Sequence, residues 1–336
     1  MRAYHVKEFS GPDGLAAVEL PDAAPGPSEV QVRIQAVSLN FRDLAMTRGM
    51  YGAGVKAPLI PCSDAAGTIA AVGAGVSKFK IGDRVTPTFF QNWLYGDVRK
   101  RDATSALGGG GKGVLAERIV LHESGALPIP DHLSFEEAAC LPCAALTAWQ
   151  ALFEHEPSLR AGETVLIQGT GGVSIFALQF AKLVGARVFA TSSSDEKRKR
   201  LEGLGVEASV NYKTTPEWDK AIAELTGGGV DRVVEVGGAG TLARSINAIR
   251  NGGRIYVIGV LSGPGEMNPQ PILRKSANIQ GIFVGSREMF EHMNVEITRT
   301  KLKPVIDRVF KFDEAKAAFQ HMAAGAHFGK ICIRVG

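Results

Sequence analysis

A short apolar run, Thr164-Val165-Leu166-Ile167-Gln168, breaks into the closely spaced glycines of Gly169-Thr170-Gly171-Gly172-Val173-Ser174. Apolar residues then recur at Val173, Ala177, Phe180, Ala181 and Val184, the spacing of one helix face. Strand, tight turn and helix in that order suit the binding of a diphosphate. Glycine lets the backbone turn sharply and approach phosphate oxygens with no Cβ in the way. The start of the helix offers unpaired N–H groups and a partial positive charge. A further strand, Ala186-Arg187-Val188-Phe189-Ala190-Thr191, arrives at the distance of a βαβ unit. The pattern predicts a dinucleotide held at Thr170, Gly171, Gly172 and Val173. The third glycine of the G-x-G-x-x-G fingerprint is Ser174 here, which should weaken the close packing of helix on strand.

The tip of the second strand decides which dinucleotide. An acidic residue there normally binds the ribose 2′-hydroxyl of NAD. This chain instead reads Ser192-Ser193-Ser194, and Asp195 falls in the first turn of the next helix, where a negative charge is favourable. Lys197, Arg198, Lys199 and Arg200 follow. A 2′-phosphate asks for hydroxyls and cations rather than a carboxylate. Ser192, Ser193 and Lys197 therefore predict NADP(H), with Arg198 to Arg200 read as a solvated helix face.

Metal and redox chemistry find less support. The four cysteines are Cys62, Cys140, Cys143 and Cys332. Cys140 and Cys143 form a C-x-x-C within an apolar helical stretch, with no second Cys or Cys/His pair nearby, and read as buried small hydrophobes. The seven histidines are scattered in no triad or ligand cluster.

These residues need a frame to hold them. With 336 residues, 45% hydrophobic and 21% charged, the chain suits two ordinary globular domains. A net charge of +4 gives no argument for nucleic acid or a membrane surface. No apolar run of about 18 residues predicts a membrane span, and the N-terminus lacks a signal core, so a cytoplasmic protein is expected. Residues 1–123 read as strand-rich and glycine-punctuated, with Glu29 to Val37 alternating polar and apolar. From 124 to 285 strands and helices alternate, with strands near 164–168, 187–192, 209–212, 231–236, 254–260 and 279–284. Ser194 should cap one helix and Thr215 should precede another that opens with Pro216. Continuous apolar strands such as Ile255-Tyr256-Val257-Ile258 suit a parallel sheet covered on both faces. The tail, 286–336, should add a strand, a helix and a final strand from Lys330 to Val335 that return to the first domain.

Across nearly its whole length the chain resembles the medium-chain dehydrogenase/reductase superfamily. The resemblance rests on Val37-Ser38-Leu39-Asn40-Phe41-Arg42-Asp43-Leu44, Gly82-Asp83-Arg84-Val85, Thr147-Ala148-Trp149, Gly169-Thr170-Gly171-Gly172-Val173 and Asp231-Arg232-Val233-Val234-Glu235, in family order. It implies an α/β fold, a doubly wound Rossmann sheet at 124–285 beside a GroES-like, β-rich catalytic domain at 1–123 joined by 286–336. The nearest branch is the zinc-independent one, which contains quinone oxidoreductases and zinc-free alcohol dehydrogenase-like proteins. The resemblance extends the cofactor set to Asn40, Thr147, Tyr212, Val236, Gly259, Val260, Leu261, Phe283 and Val284.

The family's catalytic zinc positions fall here on Asn40, Ser63 and Cys143, with the adjacent family acid at Asp64. One thiol with an amide and a hydroxyl does not make a three-ligand zinc site. The lobe that carries structural zinc in relatives has no counterpart, since 90–115 contains no cysteine. Without zinc to stabilise an alkoxide, transfer of hydride from NADPH to a quinone or an α,β-unsaturated carbonyl is the expected reaction. Asn40 would donate to the nicotinamide ribose or to the substrate carbonyl. Tyr51 matches a tyrosine that lines the site in similar proteins, as proton donor or as wall. Arg42 and Asp43 should pair with each other. A zinc-free alcohol or aldehyde dehydrogenase is the alternative enzyme. A non-catalytic nucleotide-binding or RNA-binding protein is the alternative of another class, disfavoured by the mixed surface charge. Similar proteins pair the last strand of the sheet across a two-fold axis. The segment Asn278 to Val284 should therefore form a homodimer edge that buries Ile282 and Val284 and turns Phe283 toward the nicotinamide.

Overall fold

A computed structural model describes residues 1–50, 55–109, 112–259, 261–263 and 265–336. Tyr51 and Val260 lie outside the described residues. The chain divides into two units, Met1–Leu146 with Val284–Gly336, and Thr147–Phe283.

The first unit opens with strands β1 (Arg2–Val6), β2 (Leu15–Glu19), β3 (Glu29–Leu39), β4 (Asp64–Val72), β5 (Arg84–Pro87), β6 (Arg118–His122) and β7 (Ala126–Pro128). The alternation that marks β3 sends Val30, Val32 and Ile34 into the core. Residues 124–146, whose pattern suggested the nucleotide-binding half, cluster instead with this first unit. Helix Phe135–Ala139 and the π-helical turn Leu141–Ala145 bury Ala138, Ala139 and Leu141. They pack on β3 and β4, which outweighs their place in the sequence pattern.

The second unit is a parallel sheet of β8 (Thr164–Gln168), β9 (Arg187–Ser192), β10 (Ala208–Asn211), β11 (Val230–Glu235), β12 (Ile249–Val257) and β13 (Asn278–Gly281). Its order is β10-β9-β8-β11-β12-β13. The chain starts at the middle, winds outward through β9 and β10, then returns to the other side of β8. The reversal between β8 and β11 is the topological switch point, where ligands of such sheets bind beyond the strand ends. Every residue of β8 is buried. Leu166, Phe189, Val233, Ile246 and Ile255 form one core, each worth about 1.5–3 kcal/mol of apolar burial.

Three boundaries differ from the pattern. β12 begins at Ile249 rather than near 254, with an irregular register between Val230 and Arg232. The last strand stops at Gly281. The helix expected at Thr215-Pro216 begins at Trp218. Asn211 takes Thr215 N on its carbonyl (2.8 Å) and Lys213 N on its side chain (3.1 Å), so the chain makes a turn first.

The chain then returns to the first unit as β14 (Ile306–Lys311) and β15 (Lys330–Arg334). The larger sheet runs β14-β15-β3-β4-β5-β7, with β6 also on β3. β15 pairs antiparallel with β3, Cys332 opposite Ser38. The four cysteines are free thiols. Cys140 does not pair with Cys143; its Sγ lies 3.5 Å from that of Cys332, and both thiols are buried. Among the described residues no helix is long and apolar enough to cross a membrane.

Candidate functional site

In the second unit, β8 runs into Gly169 and then into helix Gly172–Leu183, whose N-cap is Gly171. Gly169 sits at φ +69, a conformation that favours glycine. Gly171 is different. Its φ of −75 suits any residue, and a Cβ there would meet no protein atom within 4 Å. Neither backbone nor packing asks for glycine at 171, whereas close approach of a ligand would. With the N–H groups of a 12-residue helix beside it, this turn fits a diphosphate. Thr170 is buried, while Gly172 and Val173 are half-buried at the helix start. Ser174 does not loosen the joint as expected. Its Oγ donates to Gln168 O at 2.7 Å, so the hydroxyl ties helix to strand where a third glycine would only clear space.

The strand tip is built from Ser192, buried at the end of β9, and the half-buried Ser193. Ser194 caps helix Asp195–Gly203, its Oγ accepting from Lys197 N at 3.3 Å. The nearby acid is engaged. Asp195 accepts from Arg198 Nη1 (2.8 Å) and Asn211 Nδ2 (3.0 Å), and these bonds hold its carboxyl below the usual range. Arg198 also donates to the hydroxyl and carbonyl of Ser209, so it is anchored to β10 rather than merely solvated. Lys197 is half-buried on the same turn. Tyr212 N donates to Ser192 O at 3.0 Å, which brings the exposed Tyr212 beside the strand tip.

At the switch point, the ends of β8 and β11 are joined by a latch that the sequence pattern did not single out. Glu235, fully buried, accepts from Gln168 Nε2 (2.8 Å), Thr241 Oγ1 (2.6 Å), Gly237 N (2.8 Å) and Gly238 N (3.0 Å), and from the Ser245 hydroxyl. Gln168 Oε1 takes Val236 N at 3.2 Å. The loop from Val236 to Gly238 is thereby fixed. A Cβ on Gly259 would lie 1.8 Å from Val236 O, so that glycine serves packing. The signal available was a glutamate ending an otherwise apolar buried strand. Leu261 is half-exposed, Phe283 is 43% exposed and Thr147 is buried. Ile282 packs with Ala151 and Tyr256. Ile282 and Val284 are thus buried within the chain itself, contrary to the expectation that a partner would bury them.

In the first unit, Asn40 ends β3 as N-cap of helix Phe41–Thr47 and is 9% exposed. Its backbone N donates to Asp43 Oδ2 at 2.8 Å. Its Oδ1 accepts from Lys330 Nζ at 2.6 Å, and Lys330 also donates to Leu39 O at 2.7 Å. Asn40 Nδ2 is buried with no hydrogen-bond partner among the described residues. The amide favours the charged form of Asp64. Lys330 was legible only as the first residue of an apolar strand.

Ser63 Oγ donates to Asp64 Oδ1 at 2.6 Å, and Cys143 N donates to Asp64 Oδ2 at 3.0 Å. Burial pushes the Asp64 carboxyl up and, with the Asp64 charge, pushes the Cys143 thiol up strongly. Burial also pushes Asp43 up to about 6, against the pull of Arg42. Arg42 lies 3.6 Å from Asp43 Oδ1, donates to Leu107 O at 3.0 Å and stacks over Phe89, a structural pairing. Among the described residues no group of three or more His, Cys, Asp or Glu side chains could hold a metal ion. Val284 has φ +58, strained for a β-branched residue.

Comparisons with known proteins bear on both units. Residues 26–131 match the alcohol dehydrogenase GroES-like domain, and residues 172–299 match a zinc-binding dehydrogenase domain. The chain is 43% identical to a zinc-type alcohol dehydrogenase-like protein of Schizosaccharomyces pombe, over 98% of this chain and 97% of that one. It is 31% identical to the quinone oxidoreductase of Rattus norvegicus, over 99% and 97%. The solved structure of an NAD-dependent alcohol dehydrogenase superposes with a TM-score of 0.91 at 35% identity, covering 100% of each chain.

Proposed function

Since this chain belongs to the medium-chain dehydrogenase/reductase superfamily and is an oxidoreductase of that kind, we propose that it reduces quinones or α,β-unsaturated carbonyls with NADPH and without zinc. The observation that carries the reading is the donor set at the positions where the family's zinc members hold their metal. The Asn40 oxygen is engaged by an ammonium, the Ser63 hydroxyl donates to Asp64, and Cys143 is the one thiol of the three. A catalytic zinc needs three deprotonated or neutral donors aimed at one point. These residues do not fit it.

NADPH, when bound, supplies the hydride. The Gly171 turn fits its diphosphate, and Ser192, Ser193, Lys197 and Tyr212 suit its 2′-phosphate. The pairing of Asp195 with Arg198 supports NADP over NAD, since the acid nearest the strand tip is partly neutralised by a cation. Hydride addition to a conjugated carbonyl places negative charge on its oxygen, and a buried donor preset for that charge accelerates the step. Asn40 Nδ2 is such a donor. Tyr51 is proposed to line this site. The alcohol dehydrogenase names of two relatives favour a second reading, a zinc-free alcohol or aldehyde dehydrogenase. We further propose a homodimer through the outer edge of β13 and a cytoplasmic location.

Steady-state assays of NADPH with a para-quinone, an enone and an aldehyde, and of NADP+ and NAD+ with primary alcohols, test this. Turnover is expected with the quinone or the enone. Turnover confined to alcohols and aldehydes would favour the second reading.

A further inference from the structure

Lys330 is 3% exposed, and its ammonium group sits at the junction of β15 and β3. An ammonium has three donors and no acceptor. The Asn40 atom at 2.6 Å from it must therefore be the amide oxygen, which fixes the flip of that amide from chemistry alone. With Oδ1 turned to Lys330, Nδ2 lies on the side of Asp64, whose charged form the amide favours, and is buried with no hydrogen-bond partner among the described residues. An orphaned buried donor is costly unless something completes it. Two buried carboxylates flank the pair, Asp43 on the Asn40 backbone N–H and Asp64 beside its amide.

We propose that Lys330 is the positioning residue that fixes the Asn40 amide with Oδ1 on the ammonium and Nδ2 away from it, as the donor to the carbonyl oxygen of the acceptor. This rests on the functional reading above. Lys330 does not touch the acceptor. A neutral residue at 330 frees the amide to turn over. Asn40 then presents oxygen to oxygen in part of the population, and the donor is lost when charge develops.

The test uses the full chain in unmodified form and as Lys330→Met, Lys330→Ala and Lys330→Arg. Lys330→Met should lower kcat/KM for the acceptor by tenfold or more and leave the NADPH dissociation constant within about twofold. Ethylammonium should restore part of the rate to Lys330→Ala, and Lys330→Arg should keep more activity than Lys330→Met; a strut that only holds β15 would show neither. The side-chain amide resonance of Asn40, identified by its loss in Asn40→Ala, should shift in Lys330→Met before any ligand is added. Unchanged kcat/KM in a folded Lys330→Met overturns the proposal. So does a raised NADPH dissociation constant with unchanged kcat, or an unshifted resonance. If Lys330→Met fails to fold, Lys330→Arg and amine rescue decide. If the unmodified protein reduces no quinone or enone, the functional reading fails, and the resonance still decides whether Lys330 sets the amide.

Discussion

Ser174 Oγ donates to the carbonyl of Gln168 across the turn at 169–171, at 2.7 Å and out of contact with water. A residue that breaks the expected glycine pattern thus becomes a fastener between helix Gly172–Leu183 and the central strand β8. Ser174→Ala should lower unfolding stability by about 1 kcal/mol, the net worth of one such bond, as read by denaturant melts. Stability unchanged within error would mean that the bond is not made.

Cofactor choice is expected to turn on Lys197. A charge-assisted contact is worth about 1.5–3 kcal/mol. Lys197→Ala should therefore weaken NADPH roughly tenfold or more and leave NADH nearly unchanged in calorimetry. The unmodified chain should prefer NADPH, and equal affinities for the two would refute the assignment of Ser192, Ser193 and Lys197 to the 2′-phosphate.

Purified protein should hold no stoichiometric zinc, and chelators should leave activity unaltered. Elemental analysis with about one zinc per chain, lost together with activity on Cys143→Ser, would overturn the reading of the Asn40, Ser63 and Cys143 positions.

Asp43 should leave a mark on stability against pH. An unfolded aspartate titrates near 3.9, and burial raises Asp43 to about 6 in the fold. The folded state then holds the proton more tightly, so this site favours folding at low pH. That contribution is lost as pH rises from about 4 through 6. Arg42, Lys330 and the Asn40 N–H oppose the rise and Asp64 adds to it. Asp43→Asn removes the titration and keeps an acceptor for Asn40 N. Its stability relative to the unmodified chain should climb by about 2–3 kcal/mol between pH 4 and pH 7. A constant difference across that window would contradict the burial argument.

The oligomer is best tested at β13 itself. Ile282 packs with Ala151 and Tyr256, so a charge there would damage the unit's own core rather than report on a partner. The unmodified chain should sediment as a dimer at micromolar concentration. The outward amides of Asn278–Gly281 should then exchange slowly, because an edge strand is protected only when paired. A stable, active monomer would rule the pairing out.

Much of this architecture was legible. β8 and β9 fall where their apolar runs placed them, because strands buried on both faces leave no ambiguity of period. Ser194 caps its helix as its side chain dictates. Local chemistry misled at Thr215, where Asn211 captured the backbone first. The latch from Gln168 to Glu235 and the reach of Lys330 to Asn40 were not legible. Each joins residues far apart in sequence, 67 positions in the first case and 290 in the second. A single chain carries no periodicity that reports such a pairing.

The placement of β15 has a consequence for how the protein is made. A ribosome delivers β3 and Asn40 early, then all of 147–283, and only afterwards the strand that carries Lys330. The inserted unit has its whole sheet available and can close while synthesis continues. The first unit closes later: until β15 emerges, the 36–39 stretch of β3 lacks one of its pairing strands, and Asn40 and Asp64 lack the Lys330 ammonium. A nascent or truncated chain can thus close its Thr147–Phe283 unit before the other unit is complete. The Asn40 amide is therefore set only after β15 has paired with β3.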